Sequence, residues 1–163
     1  MEAFNGARAG TAPVARPQPS SPDMEWLARL PHRDCLEMSA QETAPRAARR
    51  LVATALPQWS LPQFEVTAAL IASELVTNAL AATRGVQWTA AVPPLLLWLC
   101  GGPSAVAVLA WDATVTAPAA REAGEDDESG RGLAIVAALS ADWGYYFPAE
   151  FGGKVTWAVI ENP

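Results

Sequence analysis

The chain has 163 residues, of which 51% are hydrophobic, and a formal net charge of −6; this predicts one domain with a sizeable core. Residues 1–50 contain seven of the eleven basic residues, so the other 113 residues combine four basic with eleven acidic side chains. That balance excludes a protein that coats nucleic acid, which needs a basic face, but permits a nucleotide in a pocket. The single histidine, His32, argues against His-based metal sites and a Ser-His-Asp triad.

The sequence predicts a cytoplasmic location. The N-terminus has Glu2 and lacks the apolar region of a signal peptide, and no apolar run reaches the roughly 18 residues that span a membrane. The two cysteines, Cys35 and Cys100, follow no CxxC spacing, which favours buried reduced thiols and leaves a disulfide open.

The first predicted elements follow a low-complexity tail. Residues 1–30 are rich in Ala, Pro, Gly and Ser, which predicts a disordered tail. Residues 32–40 alternate weakly between polar and apolar side chains and predict an edge strand. A helix then runs from residue 39 to residue 56, and Ser39 with Glu42 fits a capping box at its start.

A second helix and a set of apolar strands follow. The helix spans residues 61–85, between Pro62 near its start and Gly85 at its end. Residues 86–92 predict a strand, and residues 95–111 predict two strands joined by a Gly-Gly-Pro turn. The absence of charged residues from Gly85 to the end of this unit indicates buried strands.

The remaining elements complete an α+β pattern. Residues 113–129 carry an acidic run and predict a loop, residues 130–144 predict a helix with a Gly-rich start, and residues 145–161 predict two strands. The element order of the domain, residues 31–163, implies a two-layer α/β sandwich. In it, helices cover one face of a mixed, mostly antiparallel sheet.

Two polar residues interrupt the apolar second helix. Glu74 and Asn78 are one helical turn apart and point into one space, although a helix buried on most faces should not tolerate them without a partner or a task. In one interpretation Glu74 caps a neighbouring loop or pairs with Arg84, and Asn78 ties down a backbone carbonyl. In the other, Glu74 accepts a proton beside Asn78, an oxygen ligand for Mg²⁺, which suits phosphoryl transfer.

Two further features are compatible with a nucleotide ligand. Asp112 is the first charged residue after an apolar strand, so it stands at a strand end that faces a rim. Its carboxylate there can accept a hydrogen bond from an exocyclic amine such as that of adenine; the alternative is an Asp that starts a loop. Gly130 and Gly132 allow the backbone to approach a ligand closely, the following helix offers free N–H groups, and Arg131 adds a cation.

In this order and spacing, the segments SELVTNA, Asp112, ESGRGLAIV and GGKVTWAVI resemble the GHKL, or Bergerat-fold, ATPases, which include histidine sensor kinases and DNA gyrase B. The likeness is greatest to the small stand-alone serine kinases of anti-sigma-factor type in bacterial partner-switching systems. It covers about residues 33–161. The resemblance implies the histidine kinase-like ATPase fold, which is the same α/β sandwich, with ATP and Mg²⁺ as ligands.

The resemblance also implies a role for each matching residue. Glu74 would be the general base that activates the attacking hydroxyl, Asn78 would hold Mg²⁺ against the phosphates, and Asp112 would read the adenine amino group. The lid hinge and the helix N-terminus over the phosphates would be formed by Gly130, Arg131, Gly132 and Leu133. Thr156, on the last strand, would contact adenine or a water beside it.

The sequence departs from the family pattern at three points. Family members usually have a glycine two residues after the adenine-reading Asp, where this chain has Thr114. No histidine follows Asn78 and Ala79, and the lid segment EDDES is unusually acidic. These departures bear on catalysis more than on nucleotide binding.

The sequence therefore predicts an ATP-binding regulatory protein, a serine/threonine kinase that phosphorylates a small antagonist protein and also sequesters a sigma factor. One alternative is a non-catalytic module whose nucleotide state gates a protein partner; another is a scaffold of this shape that binds no nucleotide. No nucleic acid or membrane is expected as a partner. Four tryptophans are predicted to pack in the core, with a homodimer surface as the second interpretation: Trp88, Trp98, Trp111 and Trp157.

Overall fold

The computed structural model describes residues 19–88, 92–118 and 131–162 of the chain. Its helices are α1 (Met24–Arg29), α2 (Ala44–Gln58), α3 (Glu65–Thr83) and α4 (Gly132–Leu139), and a short 3₁₀ turn, Pro62–Phe64, leads into α3. Its strands are β1 (His32–Ser39), β2 (Pro94–Gly102), β3 (Ala105–Asp112), β4 (Asp142–Tyr146) and β5 (Lys154–Glu161).

The five strands form one sheet in the order β1-β2-β3-β5-β4. Every neighbouring pair is antiparallel, so the α+β class is confirmed, whereas a mixed sheet is wrong for the strands that the structure describes. For the two pairs that are consecutive elements along the chain, the physical reason is a short connection, which antiparallel neighbours allow and parallel ones do not. Pro103 and Ser104 join β2 to β3, and residues 147–153 join β4 to β5.

The main core lies between the sheet and three helices. Side chains alternate between the two faces of a strand, and one alternate set is buried against α2, α3 and α4: Leu95, Leu97, Leu99, Val106, Val108, Ala110, Ala158 and Ile160. Helix α3 packs on this face next to β3. Its buried side includes Ala68, Ala72 and Ala79, whose small side chains let the helix axis lie close to the sheet.

The opposite face of the sheet is also apolar. Its buried cluster combines strand residues, such as Leu109 and Trp157, with Leu27 and Leu30 from the start of the described chain. Ser20 ties the same segment to the sheet, since its carbonyl oxygen accepts a hydrogen bond from Trp157 Nε1 at 2.6 Å. Helices therefore cover both faces of the sheet, with three on one side and α1 on the other.

The sequence predicts a disordered tail up to residue 30, but residues 19–30 pack on the sheet, and residues 1–18 lie outside the described residues. Helix α1 begins after Asp23, whose Oδ1 accepts a hydrogen bond from Trp26 N at 2.9 Å. Leu27 and Leu30 then face the sheet. A composition argument averages over the surrounding Pro and Ser residues and so misses the six-residue helix α1, whose Leu27 is buried.

Other local expectations also differ from the structure. Residues 86–88 and 92 form no strand, and the rest of that predicted strand lies outside the described residues. Ser39 ends β1 and Thr43 precedes α2 without a side-chain cap, so the predicted capping box is wrong. Cys35 is exposed and Cys100 is half-buried, and both are free thiols.

The segment Pro62–Thr83 is long and apolar enough, by length and composition alone, to cross a membrane. This differs from the expectation based on uninterrupted apolar runs, because the charged residues Glu65 and Glu74 interrupt the segment. Half of its most apolar stretch is buried inside the protein, as in a core helix. The cytoplasmic location stays a prediction.

Candidate functional site

Glu74 and Asn78 lie on the side of α3 that borders α4. Both side chains are half-buried, while the neighbouring Leu70 is 39% exposed, so this side of α3 is separate from the side that packs on the sheet. A Cβ atom added to Gly132, the first residue of α4, would overlap with Glu74 Oε2. The first turn of α4 therefore lies directly against the Glu74 carboxylate, and the glycine permits that contact.

The electrostatic surroundings of Glu74 involve burial and one cation. Burial raises the pKa of the Glu74 carboxyl above its ordinary value of 4.5, and the charge of Arg49 acts in the opposite direction. Arg49 reaches this place from α2, where its Nη1 donates to Ser73 Oγ at 3.1 Å. The partner considered from the sequence, Arg84, instead contacts Glu42, with 2.5 Å between Nη2 and Oε1 on the surface.

One end of the β3–β5 ladder carries polar residues on the face that otherwise packs against helices. Asp112 pairs with Lys154, and Ala110 pairs with Thr156. Because paired and alternate residues share a face, Asp112, Lys154 and Thr156 point to the same side as Ala110, which lies in the main core. We call these three residues the polar end; each is at most 1% exposed.

Asp112 is bonded within the polar end. Its Oδ1 accepts hydrogen bonds from the Thr114 hydroxyl and, at 2.9 Å, from Thr114 N. Its Oδ2 lies 3.3 Å from Lys154 Nζ. The expectation of a lone carboxylate at an open rim is therefore wrong, because the register of β5 brings Lys154 opposite Asp112.

Three buried side-chain atoms have no hydrogen-bond partner in the described part of the chain: Asn78 Nδ2, Asp112 Oδ2 and Thr156 Oγ1. Asp112 Oδ2 has the Lys154 ammonium as its ion partner, but that contact lacks hydrogen-bond geometry. A buried polar atom without a partner costs about 1–3 kcal/mol, so native proteins keep few of them. All three atoms belong to residues that the sequence predicts to bind a nucleotide.

The structure describes three of the four residues that the sequence assigns to the lid hinge and the helix N-terminus. Gly130 lies outside the described residues. Arg131 is exposed and immediately precedes α4, Gly132 begins the helix, and Leu133 is 5% exposed. The first backbone N–H groups of a helix have no partner inside the helix, and here they lie beside Glu74.

The predicted residues thus form two groups that α3 joins. Glu74 contacts the start of α4. Asp112 and Thr156 are diagonal neighbours on one face of the β3–β5 ladder, a relation that places Cα atoms about 7–8 Å apart. Helix α3 carries both Glu74 and Asn78 and packs against β3, the strand that ends at Asp112.

The oxygen and nitrogen atoms that could bind a metal in this region fit one kind of metal ion, namely Mg²⁺ that is bound to a nucleotide. Over residues 19–88, 92–118 and 131–162, no three His, Cys, Asp or Glu side chains cluster in a way that could hold a metal ion. Mg²⁺ that arrives with a nucleotide needs only one or two protein oxygens, since phosphates and water supply the rest. Asn78 offers one such oxygen, so the described residues fit magnesium carried by a triphosphate and do not fit a metal cage built by protein alone.

Three residues of this region are missing from the set of site residues predicted from the sequence. Lys154 and Thr114 contact Asp112, and Arg49 lies beside Glu74. Lys154 is the single lysine of the chain and stands at the start of an apolar strand. That position is a signal, because a charged residue there needs a partner on the adjacent strand.

A groove of about 210 Å³ lies on the other face of the sheet, between the start of the described chain and the β4–β5 edge. Asp23, Asp142 and Glu161 line it together with Trp26 and Trp157. It shares no residue with the predicted site. We therefore keep the polar end and the Glu74 region as the candidate site, on the grounds of their chemistry.

No family model matches the chain, and no curated protein matches it. The interpretation of the site therefore depends on the residue types, the contacts and the burial found in this chain.

Proposed function

We propose that the protein binds ATP and acts as a regulatory serine/threonine kinase of anti-sigma-factor type, with a small antagonist protein as phosphoryl acceptor. The resemblance of the sequence motifs to GHKL ATPases suggests this activity. A sigma factor is the second partner that the proposal includes.

One observation carries the proposal. Of all side chains that the structure describes, those with buried polar atoms lacking a hydrogen bond are Asn78, Asp112 and Thr156, three residues that the motifs independently assign to ATP. A ligand with an exocyclic amine, ring nitrogens and phosphates offers donors and acceptors of the kinds these atoms need. The coincidence is difficult to attribute to packing, because packing alone would leave such atoms at arbitrary positions.

The residues of α3 supply the chemistry for phosphoryl transfer. A serine hydroxyl of the acceptor attacks the γ-phosphorus, an O–P bond forms, the bond to the β-phosphate oxygen breaks, and ADP leaves. Glu74 accepts the hydroxyl proton, and the raised pKa of its carboxyl suits that task. When bound, Mg²⁺ neutralises charge on the phosphates, and Asn78 would hold it.

Calorimetric titration of the full chain with ATP, with and without Mg²⁺, tests the binding step. We expect saturable binding that strengthens when Mg²⁺ is present. ATP turnover, measured with a protein partner recovered by pull-down, then tests transfer. The Glu74→Gln variant should keep ATP binding and lose about 10²–10⁴-fold in transfer rate, the usual contribution of a general base.

Glu65→Gln is the matched control for that variant. Glu65 is in the first turn of the same helix, nine residues from Glu74 and therefore about 13 Å away along the axis. The Glu65→Gln variant should leave both ATP binding and phosphoryl transfer unchanged. Transfer that continues undiminished in Glu74→Gln would remove Glu74 from the mechanism, and an absence of any heat with ATP would reject the proposal as a whole.

A second candidate function is a non-catalytic module whose nucleotide state gates a protein partner. It is favoured by the contact of Glu74 with the start of α4, since a carboxylate already engaged there can report the position of the lid instead of accepting a proton. In that case ATP changes the affinity for the protein partner, and no phosphoryl group is transferred. Mass measurement of the partner after incubation with MgATP separates the two functions.

A further inference from the structure

We propose that Lys154 is a positioning residue that orients the Asp112 carboxylate, so that the site selects purines with a 6-amino group over purines with a 6-oxo group. This inference rests on the proposed function and names the substrate class of the same site. Lys154 itself would not touch the base.

The ammonium group of Lys154 lies against three oxygen atoms of the protein. The side chain is 1% exposed, and Nζ lies 3.3 Å from Asp112 Oδ2. It also donates to Thr114 Oγ1 at 3.3 Å and to the backbone carbonyl of Thr116 at 3.0 Å. A lysine has three donors and no acceptor; two of the donors make these hydrogen bonds, and the contact with Asp112 Oδ2 is an ion pair without hydrogen-bond geometry.

The carboxylate of Asp112 is held from both sides as a result. Thr114 occupies Oδ1 through its backbone N–H and its hydroxyl, while Lys154 fixes the direction of Oδ2. Oδ2 receives no hydrogen bond from the described residues. The oxygen that remains available for a ligand is thus the one that Lys154 holds in place.

This arrangement discriminates between purines by charge and by donor count. An ionised carboxylate only accepts hydrogen bonds, so it favours the amino group of adenine and repels the 6-oxo oxygen of hypoxanthine. Lys154 could compensate an oxo group by donating to it, but its ammonium group is already held against Thr114, Thr116 and Asp112. The same contacts explain why Thr114 stands where related sequences usually have glycine, because its hydroxyl bridges Asp112 and Lys154.

A purely structural role for the ion pair predicts a different result. If Lys154 merely stabilises the core, its loss weakens every nucleotide by the same factor, since all of them need the folded site. If it positions Asp112, its loss weakens adenine nucleotides more than 6-oxopurine nucleotides. The ratio of the affinities for ATP and inosine triphosphate therefore separates the two roles.

The test is calorimetric titration of the full chain and of Lys154→Met with MgATP and with magnesium inosine triphosphate. We expect the wild-type chain to prefer ATP and the variant to lower the affinity ratio by about tenfold or more, the typical worth of one hydrogen bond to a charged group. Arg84→Met is the matched control. It removes a cation from an exposed ion pair, and the ratio should stay as in the wild type.

Removal of one partner from a buried ion pair is strongly destabilising, whereas removal of both is often tolerated. The double variant Asp112→Asn with Lys154→Met, and the single variant Thr114→Val, are therefore measured alongside; each should also lower the ratio. An unchanged ratio in the variants that fold would overturn the role of Lys154 while leaving ATP binding intact. A wild-type chain that binds neither triphosphate would instead reject the proposed function.

Discussion

The two ends of the β3–β5 ladder differ sharply although they share one sheet face and one covering layer of helices. At the apolar end, which we define as Val106, Val108, Ala158 and Ile160, every side chain is apolar and packs in the main core. At the polar end, Asp112, Lys154 and Thr156 are equally buried, yet two of them carry charges, and Asp112 and Thr156 hold atoms without a hydrogen bond.

The two ends therefore differ in their roles: the apolar end stabilises the fold, and the polar end is where we propose that the nucleotide binds. Burial of an apolar residue stabilises the fold in proportion to its area, and the apolar end needs no other explanation. Burial of Asp112, Lys154 and Thr156 costs free energy unless each polar atom is satisfied. We attribute this cost to the proposed nucleotide, which would supply the missing partners.

The largest effect is expected at the apolar end. Ile160→Ala removes a buried side chain that is 5% exposed, and we expect a loss of about 2–5 kcal/mol in the free energy of unfolding, because the cavity is only partly refilled. Urea denaturation monitored by tryptophan fluorescence measures it. The control Val66→Ala, at a side chain 83% exposed, should change stability by less than about 0.5 kcal/mol.

The next largest effect concerns the glycine that lets β5 approach β3. Gly153 has φ +72°, and an added Cβ would overlap with the Asp112 carbonyl oxygen and the Trp111 ring. We expect Gly153→Ala to cost about 1–3 kcal/mol from backbone strain, and more from the overlap. Gly152 also has a positive φ, +69°, but a Cβ added there would meet open space. The Gly152→Ala variant therefore measures the backbone strain alone. Equal melting temperatures for the two variants would contradict the close approach.

A smaller effect, with an unusual sign, is expected at Thr156. Thr156→Val removes a buried hydroxyl without a hydrogen bond, so the free energy of unfolding should stay level or rise by up to about 1 kcal/mol, while ATP binding weakens. Thr83→Val is the comparison, since that buried hydroxyl donates to Leu80 O at 2.9 Å and its loss should destabilise. If both variants lose the same stability, the Thr156 hydroxyl has a partner after all.

The smallest effect is a pH dependence from Glu74. Burial raises its pKa above 4.5 in the folded state, so between the unfolded and the folded pKa the folded chain binds more protons, and stability falls as pH rises through that window. The free energy of unfolding of the wild type and of Glu74→Gln can be measured by denaturation from about pH 4 to pH 8. As the pH rises, the wild type should lose stability relative to the variant. A relative gain would mean that Arg49 outweighs burial. Glu65→Gln controls for the loss of a charge on α3.

Much of the fold follows from local pattern. The apolar run from residue 95 to 111 predicts two strands and a tight turn, and β2 and β3 occupy these positions. Pro62 and Gly85 bracket the helix that contains Glu74 and Asn78, and the structure has the helix there. These elements could be predicted because their signals lie within a few residues of each other: alternation, helical periodicity and punctuation by Pro and Gly.

The candidate site could be predicted only as a set of residue types. Glu74, Asn78, Asp112 and Thr156 attract notice because polar groups in apolar elements need partners. Their actual partners could not be predicted. Lys154 meets Asp112 because β5 pairs with β3 in one register, and a shift of one residue would turn Lys154 to the opposite face. The docking of residues 19–30 likewise depends on which segment covers the second apolar face of the sheet, and no local pattern specifies that segment.

The class of the fold, the long apolar helix with its two polar residues, and the apolar strands follow from the amino-acid sequence, because each is encoded by neighbours along the chain. The burial of Asp112, its ion pair with Lys154 and the position of Glu74 against the start of α4 are visible only in the folded chain. The same is true of the buried atoms without hydrogen bonds. These facts arise from contacts between residues about 40 to 60 positions apart, and such contacts are fixed by register and packing, which local periodicity does not specify.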